Sequence, residues 1–191
     1  YNSTLSEEVA NFIICNPSCF PRAVDDAISL CSPDILIEHS DEVLSILYEK
    51  YDPLLSPSWL KMPVAEILYK VILDDPSKYP ILTYRAVSYC DSKLLTDNVI
   101  KKVLPIFGEN NYHFGQYCLN DQVISNFIIS NFENSVFIKY YPNLLGEAAD
   151  CCSSKLLTDD VFDKILPILN KNGYVYYGGG KNSDVIAKAV F

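Results

Sequence analysis

The chain repeats itself at a period of about sixty residues, and this internal repeat constrains the fold more than any other feature. Shifting the sequence by 62 residues aligns segment 92–107 with segment 154–169, and eleven of these sixteen positions are identical. Self-similarity at a fixed period is typical of arrays in which each unit is too small to bury its own apolar face. The sequence therefore predicts units that stack on one another.

Two elements mark each unit. The first is an apolar stretch, which begins at Val9, Val64 and Val123 and again at Val185. The second element is the pattern aromatic-Pro-x5-Ala-x3-Cys, in which x is any residue. It occurs at Phe20-Pro21, Ala27 and Cys31, at Tyr79-Pro80, Ala86 and Cys90, and at Tyr141-Pro142, Ala148 and Cys152. We place repeat 1 at about 8–60, repeat 2 at about 61–121, repeat 3 at about 122–183 and the start of repeat 4 at 184–191, and expect a fragment of a longer chain.

The sequence of each unit predicts three short helices. The first is the apolar stretch, for example 64–73, and the second follows the aromatic-Pro pair because proline suits a first helical turn. The third is predicted to open after Ser40, Thr96 or Thr158, whose hydroxyls can cap free backbone N–H groups. Pro105 and Pro167 are expected to kink or stop this third helix.

These patterns predict one all-α domain over 1–191, an α-solenoid of about three three-helix repeats with a period of 59–62 residues. Stacking of such units gives a right-handed superhelix of helices. In general plan this resembles armadillo and HEAT-type α-solenoids. The resemblance implies an extended surface on which a protein or peptide binds.

Charge narrows the class of partner. Lys and Arg number 15 against 24 Asp and Glu, so the net charge is −9 and the pI about 4.6. An acidic surface favours basic protein or peptide partners and disfavours nucleic acid, which leaves an RNA-binding helical repeat as a weak alternative. No apolar run reaches the roughly 20 residues that span a bilayer, so membrane insertion is not expected.

The cysteines indicate the cellular compartment of the protein rather than a catalytic or metal-binding site. Seven scattered cysteines, an odd number, favour reduced thiols and an intracellular, cytoplasmic location. Cys15 and Cys19 lack the second ligand pair of a zinc site, and we interpret them as partly buried thiols at the end of the first helix. The recurring cysteines at 31, 90 and 152 are interpreted as packing residues. We expect no catalytic, cofactor or metal site; a thiol-dependent enzyme using Cys118 or Cys151 is the rival hypothesis.

The most suggestive binding residues lie in the loops after the third helix. Equivalent polar-flanked loops carry aromatics that would line one edge of the array, or would instead pack under the following unit. The candidates are Tyr112, His113 and Phe114 in one loop and Tyr174, Tyr176 and Tyr177 in the next. The predicted function is an intracellular protein-binding scaffold or adaptor, with a structural spacer in a larger protein as the alternative.

Overall fold

A computed structural model describes residues 6–50, 64–110, 120–134 and 142–171, together with positions 182, 184 and 186. Across these residues the protein is all-helical and contains no β-strand. The chain forms two compact units, Tyr1–Leu94 and Leu95–Phe191. The division falls inside the predicted second repeat, between its second and third helices.

The described residues of unit 1 form six α-helices. They are α1 (Glu7–Cys15), α2 (Val24–Ile28), α3 (Pro33–Glu38), α4 (Ser40–Lys50), α5 (Ala65–Asp74) and α6 (Pro80–Tyr89), with 3-10 turns at Pro17–Cys19 and Ser92–Leu94. Helix α1 packs on α2, and α5 packs on α6. Helix α4 contacts both α5 and the turn Pro17–Cys19, so a third helix lies against the first helix of the next repeat.

Unit 2 contains four described α-helices. They are α7 (Asp97–Glu109), α8 (Asp121–Asn131), α9 (Pro142–Cys151) and α10 (Asp159–Lys171), with 3-10 turns at Phe132–Asn134 and Ser154–Leu156. Helix α9 packs closely on α8 and contacts α10. Helix α7 contacts α8, which again places a third helix against the first helix of the following repeat.

Side-chain caps explain where two of the third helices begin. The hydroxyls of Thr96 and Thr158 accept hydrogen bonds of 3.4 Å from the backbone N–H groups of Val99 and Val161. The prediction for Ser40 is wrong. Its hydroxyl donates to the carbonyl of Ile37 at 2.9 Å, and α4 begins at Ser40 itself, because the extra helix α3 runs almost directly into it.

Neither helix-interior proline stops its helix. Pro105 lies inside α7, which continues to Glu109, and Pro167 lies inside α10, which continues to Lys171. A proline removes one helical hydrogen bond. Burial of Ile106 and Phe107 in the turn that follows holds α7 in place beyond Pro105.

Repeat 1 departs from the other two between its first and third helices. Helices α6 and α9 begin at the proline of the aromatic-Pro pair, whereas α2 begins three residues after Pro21. Where repeats 2 and 3 have a 3-10 turn before the third helix, repeat 1 has the short helix α3. The proline at its first position and the preceding Ser32 suit such a helix start.

One hydrogen bond recurs at equivalent positions of all three repeats. The residue after the recurring cysteine donates its backbone N–H to a side-chain oxygen of the first helix, which lies in the middle of α1 and α8 and in the first turn of α5. The donors are Ser32, Asp91 and Ser153, and the acceptors are Asn11 at 2.8 Å, Glu66 at 2.8 Å and Asn126 at 2.7 Å, respectively. The bond ties the end of the second helix to the first helix within each repeat.

Candidate protein-binding surface

The aromatic loop residues predicted to bind a partner lie outside the described residues. These residues are Tyr112, His113 and Phe114, with Tyr174, Tyr176 and Tyr177. Cys118, the first of the two cysteines in the rival enzyme hypothesis, also lies outside them, and Cys151 is half-buried at the end of α9. The candidate surface described below is therefore a different one.

The recurring Ala-x3-Cys segment has the same geometry in each repeat. The cysteine N–H donates to the alanine carbonyl at 2.9 Å in all three cases, and the thiol faces a carbonyl three residues before it. Burial raises the pKa of the Cys31 and Cys152 thiols to about 11 and that of Cys90 to about 12. These thiols therefore stay protonated at neutral pH, and they pack in the core as the sequence predicts.

Cys15 and Cys19 differ from the sequence-based expectation, because both are exposed rather than partly buried. Cys15 ends α1, and Cys19 ends the 3-10 turn that follows it. Among the residues the structure describes, no cluster of three or more His, Cys, Asp or Glu side chains could hold a metal ion.

Alkylation should separate the two classes of thiol. At pH 8 we expect iodoacetamide to modify the exposed Cys15 and Cys19 about tenfold or more faster than Cys31, Cys90 and Cys152, because burial raises the pKa of these three thiols and also keeps the reagent from them. Mass spectrometry of tryptic peptides over time measures each rate. Modification of Cys90 at the rate of Cys15 in the folded protein would contradict the buried geometry.

The described surface of unit 1 carries a patch of apolar side chains, which we call the Phe12 surface. It comprises Val9 and Phe12 on α1 and Phe20 after the following 3-10 turn, with exposed fractions of 47%, 57% and 40%. The Phe12 and Phe20 rings pack together, with centroids 5.7 Å apart and an interplanar angle of 57°. Aromatic rings paired on a surface contribute large contact area at small entropic cost when a partner covers them.

Two equivalents of these residues in later repeats are buried, whereas Val64, Ile67 and Val123 are half-buried. The tetrapeptide Asn-Phe-Ile-Ile occurs at 11–14 and at 126–129, yet Phe127 is only 9% exposed. Tyr79, which matches Phe20, is 3% exposed. The same positions are thus core in one repeat and surface in another.

Residues of helix α4 cover Tyr79. The Tyr48 ring of α4 meets it edge-on with centroids 6.0 Å apart, and the Tyr79 hydroxyl donates to the Asp41 carbonyl at 3.3 Å. Beside it, Lys78 forms an ion pair with Asp41 at 2.7 Å, and this hydrogen bond lowers the pKa of the Asp41 carboxyl. An amphipathic third helix therefore covers this position, with an apolar ring in the centre and a charged pair at the edge.

The first fifty residues, which include the Phe12 surface, are strongly acidic. Residues 1–50 contain nine acidic and two basic residues, a net charge of −7 out of −9 for the whole chain. Glu7 and Glu8 are exposed in the first turn of α1, and Glu8 lies one helical turn before Phe12. The apolar patch thus has a carboxylate beside Phe12, and the cation Arg22 is exposed two residues after Phe20.

Sequence reasoning missed this surface because it placed the binding residues in the loops after the third helix. The positions of the apolar residues around the axis of α1 would have indicated this surface. Ala10, Ile13 and Ile14 form the buried stripe of α1, and Phe12 falls on the other side. The skew of acidic residues toward the first fifty positions is a second signal that could have been read from the sequence.

Within the described segments, no helix is long and apolar enough to cross a membrane. No family model matches the sequence. Comparisons with curated proteins and with solved structures also gave no match.

Proposed function

We propose that this chain is an intracellular, cytoplasmic scaffold or adaptor module that binds a protein or peptide on a surface of α-helical repeats. The repeats would stack as an α-solenoid with the general plan of armadillo and HEAT-type proteins. Support for the stacking comes from the recurring hydrogen bond between first and second helices, and from the contacts of α4 with α5 and of α7 with α8.

The observation that carries the proposal is the exposed aromatic pair Phe12 and Phe20. Apolar patches bordered by charged residues are typical of protein interaction sites, whereas single exposed apolar side chains are ordinary. The strongly acidic first repeat favours a basic partner by long-range attraction.

The proposal is tested by quantitative affinity capture from a cell lysate, with the parent and three folded variants as baits. The first is Phe12→Ser/Phe20→Ser, and the second is Ile37→Ser, a control on α3 with the same 57% exposure as Phe12. The third is Tyr112→Ala/Tyr174→Ala/Tyr176→Ala, which tests the aromatic loops.

We expect a protein enriched by the parent and by Ile37→Ser, and lost about tenfold or more with the double Phe variant, because truncating buried aromatic anchors costs this much affinity. Loss with the tyrosine variant alone would move the binding surface to the loops and keep the function. No enriched protein with any bait would contradict the proposal and favour the structural spacer.

A further inference from the structure

We propose that the segment starting at Asn182 is a strap that closes over the end of α9 and controls access to the buried thiol of Cys152. The strap comprises the described residues Asn182, Asp184 and Ile186. When it opens, Cys152 changes from a packing residue into a thiol that a reagent in solution can reach. The strap belongs to unit 2 and does not involve the Phe12 surface of unit 1, so it goes beyond the proposed function.

The side chain of Asn182 holds the strap on α9. Its amide nitrogen Nδ2 donates to the backbone carbonyls of Ala149 at 2.8 Å and of Cys152 at 2.9 Å. The backbone N–H of Asn182 donates to the carbonyl of Asp150 at 3.3 Å. These three carbonyls lie at the end of α9, where carbonyls have no partner further along the helix. One amide group with an exposed fraction of 3% therefore serves two of them.

The strap continues from Asn182 as a helical turn. The backbone N–H of Ile186 donates to the carbonyl of Asn182 at 2.9 Å, and the Ile186 side chain is buried. Helix α8 starts in the same way, because the N–H of Ile124 donates to the carbonyl of the buried Asn120 at 3.2 Å. Asn120 and Asn182 each stand thirty residues after the recurring cysteine of the preceding repeat. An asparagine thus starts α8 and the strap at the same place in the period.

The same amide covers the thiol of Cys152. Nδ2 of Asn182 lies 3.7 Å from the Cys152 sulfur, and Cys152 is only 1% exposed. The thiol faces the carbonyl of Ala149 at 3.6 Å, so the amide and the thiol share this acceptor. Because the amide lies against the sulfur, a reagent in solution reaches the thiol only when the strap opens.

Loss of the two amide hydrogen bonds should favour the open strap. In the closed state the carbonyls of Ala149 and Cys152 would lose this donor while they stay buried, whereas water solvates them when the strap opens. Buried groups react through such local openings, at a rate that follows the population of the open form. Alkylation of Cys152 therefore measures how firmly Asn182 holds the strap.

The test compares iodoacetamide alkylation at pH 8 of the whole folded chain and three variants. Asn182→Asp keeps the size of the side chain but places a carboxylate, which cannot donate, against the carbonyls. Asn182→Ala removes the amide altogether. Asp184→Ala is the matched control, at an exposed position of the same strap. Circular dichroism confirms that each variant is folded.

Tandem mass spectrometry follows the thiols separately. Fragment ions of the tryptic peptide 140–155 assign the label to Cys152 or to its neighbour Cys151. Cys90 is followed in the same samples, because it occupies the equivalent position in unit 1 and is equally buried in the core. Its rate reports unfolding of the whole chain rather than opening of the strap.

We expect Asn182→Asp and Asn182→Ala to raise the alkylation rate of Cys152 by about tenfold or more, because each variant lacks both amide hydrogen bonds. Asp184→Ala should change this rate by about twofold or less. The rate of Cys90 should stay the same in every variant, since the strap opens while unit 1 remains folded.

An unchanged Cys152 rate in both Asn182 variants would overturn the inference. An equal rise for Cys152 and Cys90 would also overturn it, because the variants would then unfold the whole chain. A rise with Asn182→Ala but not with Asn182→Asp would assign a space-filling role to the side chain and contradict a strap held by the amide. An equally large rise with Asp184→Ala would remove the special role of Asn182.

Discussion

Replacing Ala86 with leucine should destabilise the protein by about 3 kcal/mol, because extra methylene groups have no space in a closely packed helix interface. Ala86 is fully buried on α6, which packs against α5, and its carbonyl accepts the N–H of Cys90 at 2.9 Å. The equivalent residues Ala27 and Ala148 are also fully buried. A small side chain at this position lets the first and second helices of each repeat approach closely.

Urea unfolding followed by circular dichroism measures this change through the midpoint and the slope of the transition. Arg85→Leu is the control, since it adds a leucine one residue away at a half-exposed position. It removes the contact of the guanidinium with the Tyr84 ring, 5.9 Å from the centroid, and should change stability by about 1 kcal/mol or less. A midpoint for Ala86→Leu equal to that of Arg85→Leu would show that the interface has room for the larger side chain, contrary to the packing described here.

Replacing Asn126 with alanine should destabilise the protein by about 1–3 kcal/mol, because the backbone N–H of Ser153 loses its acceptor in a part-buried position. Asn126→Asp keeps an acceptor oxygen and should retain most of the stability. Repeat 2 already uses a carboxylate at this place, where Glu66 accepts from Asp91 at 2.8 Å. Thermal and urea unfolding of both variants measure the difference.

Equal loss of stability in Asn126→Asp and Asn126→Ala would mean that the amide acts through its NH2 group or its neutrality rather than as an acceptor. Asn11→Ala and Asn11→Asp repeat the comparison in unit 1, where Asn11 accepts from Ser32 at 2.8 Å. The same order of stability in both units is expected, since the hydrogen bond is the same.

Local signals predicted helix positions well where one residue decides the outcome. Thr96 and Thr158 cap their helices as expected, and α6 and α9 begin at the proline of the aromatic-Pro pair. The predictions failed where a neighbouring element intervenes. Ser40 is not a cap because α3 precedes it, and Pro105 does not end α7 because the following turn is buried.

The sequence determined the internal period, the all-helical character and the positions of small core residues such as Ala86 and Cys90. These properties follow from helical spacing and from side-chain size, both of which are local. Only the tertiary structure decided which apolar positions are covered. Phe12 and Phe127 stand in identical tetrapeptides, yet one is exposed and the other is buried. Amphipathic phase predicts which side of a helix is apolar, but burial depends on whether another element packs there, and that contact is made by residues distant in the chain.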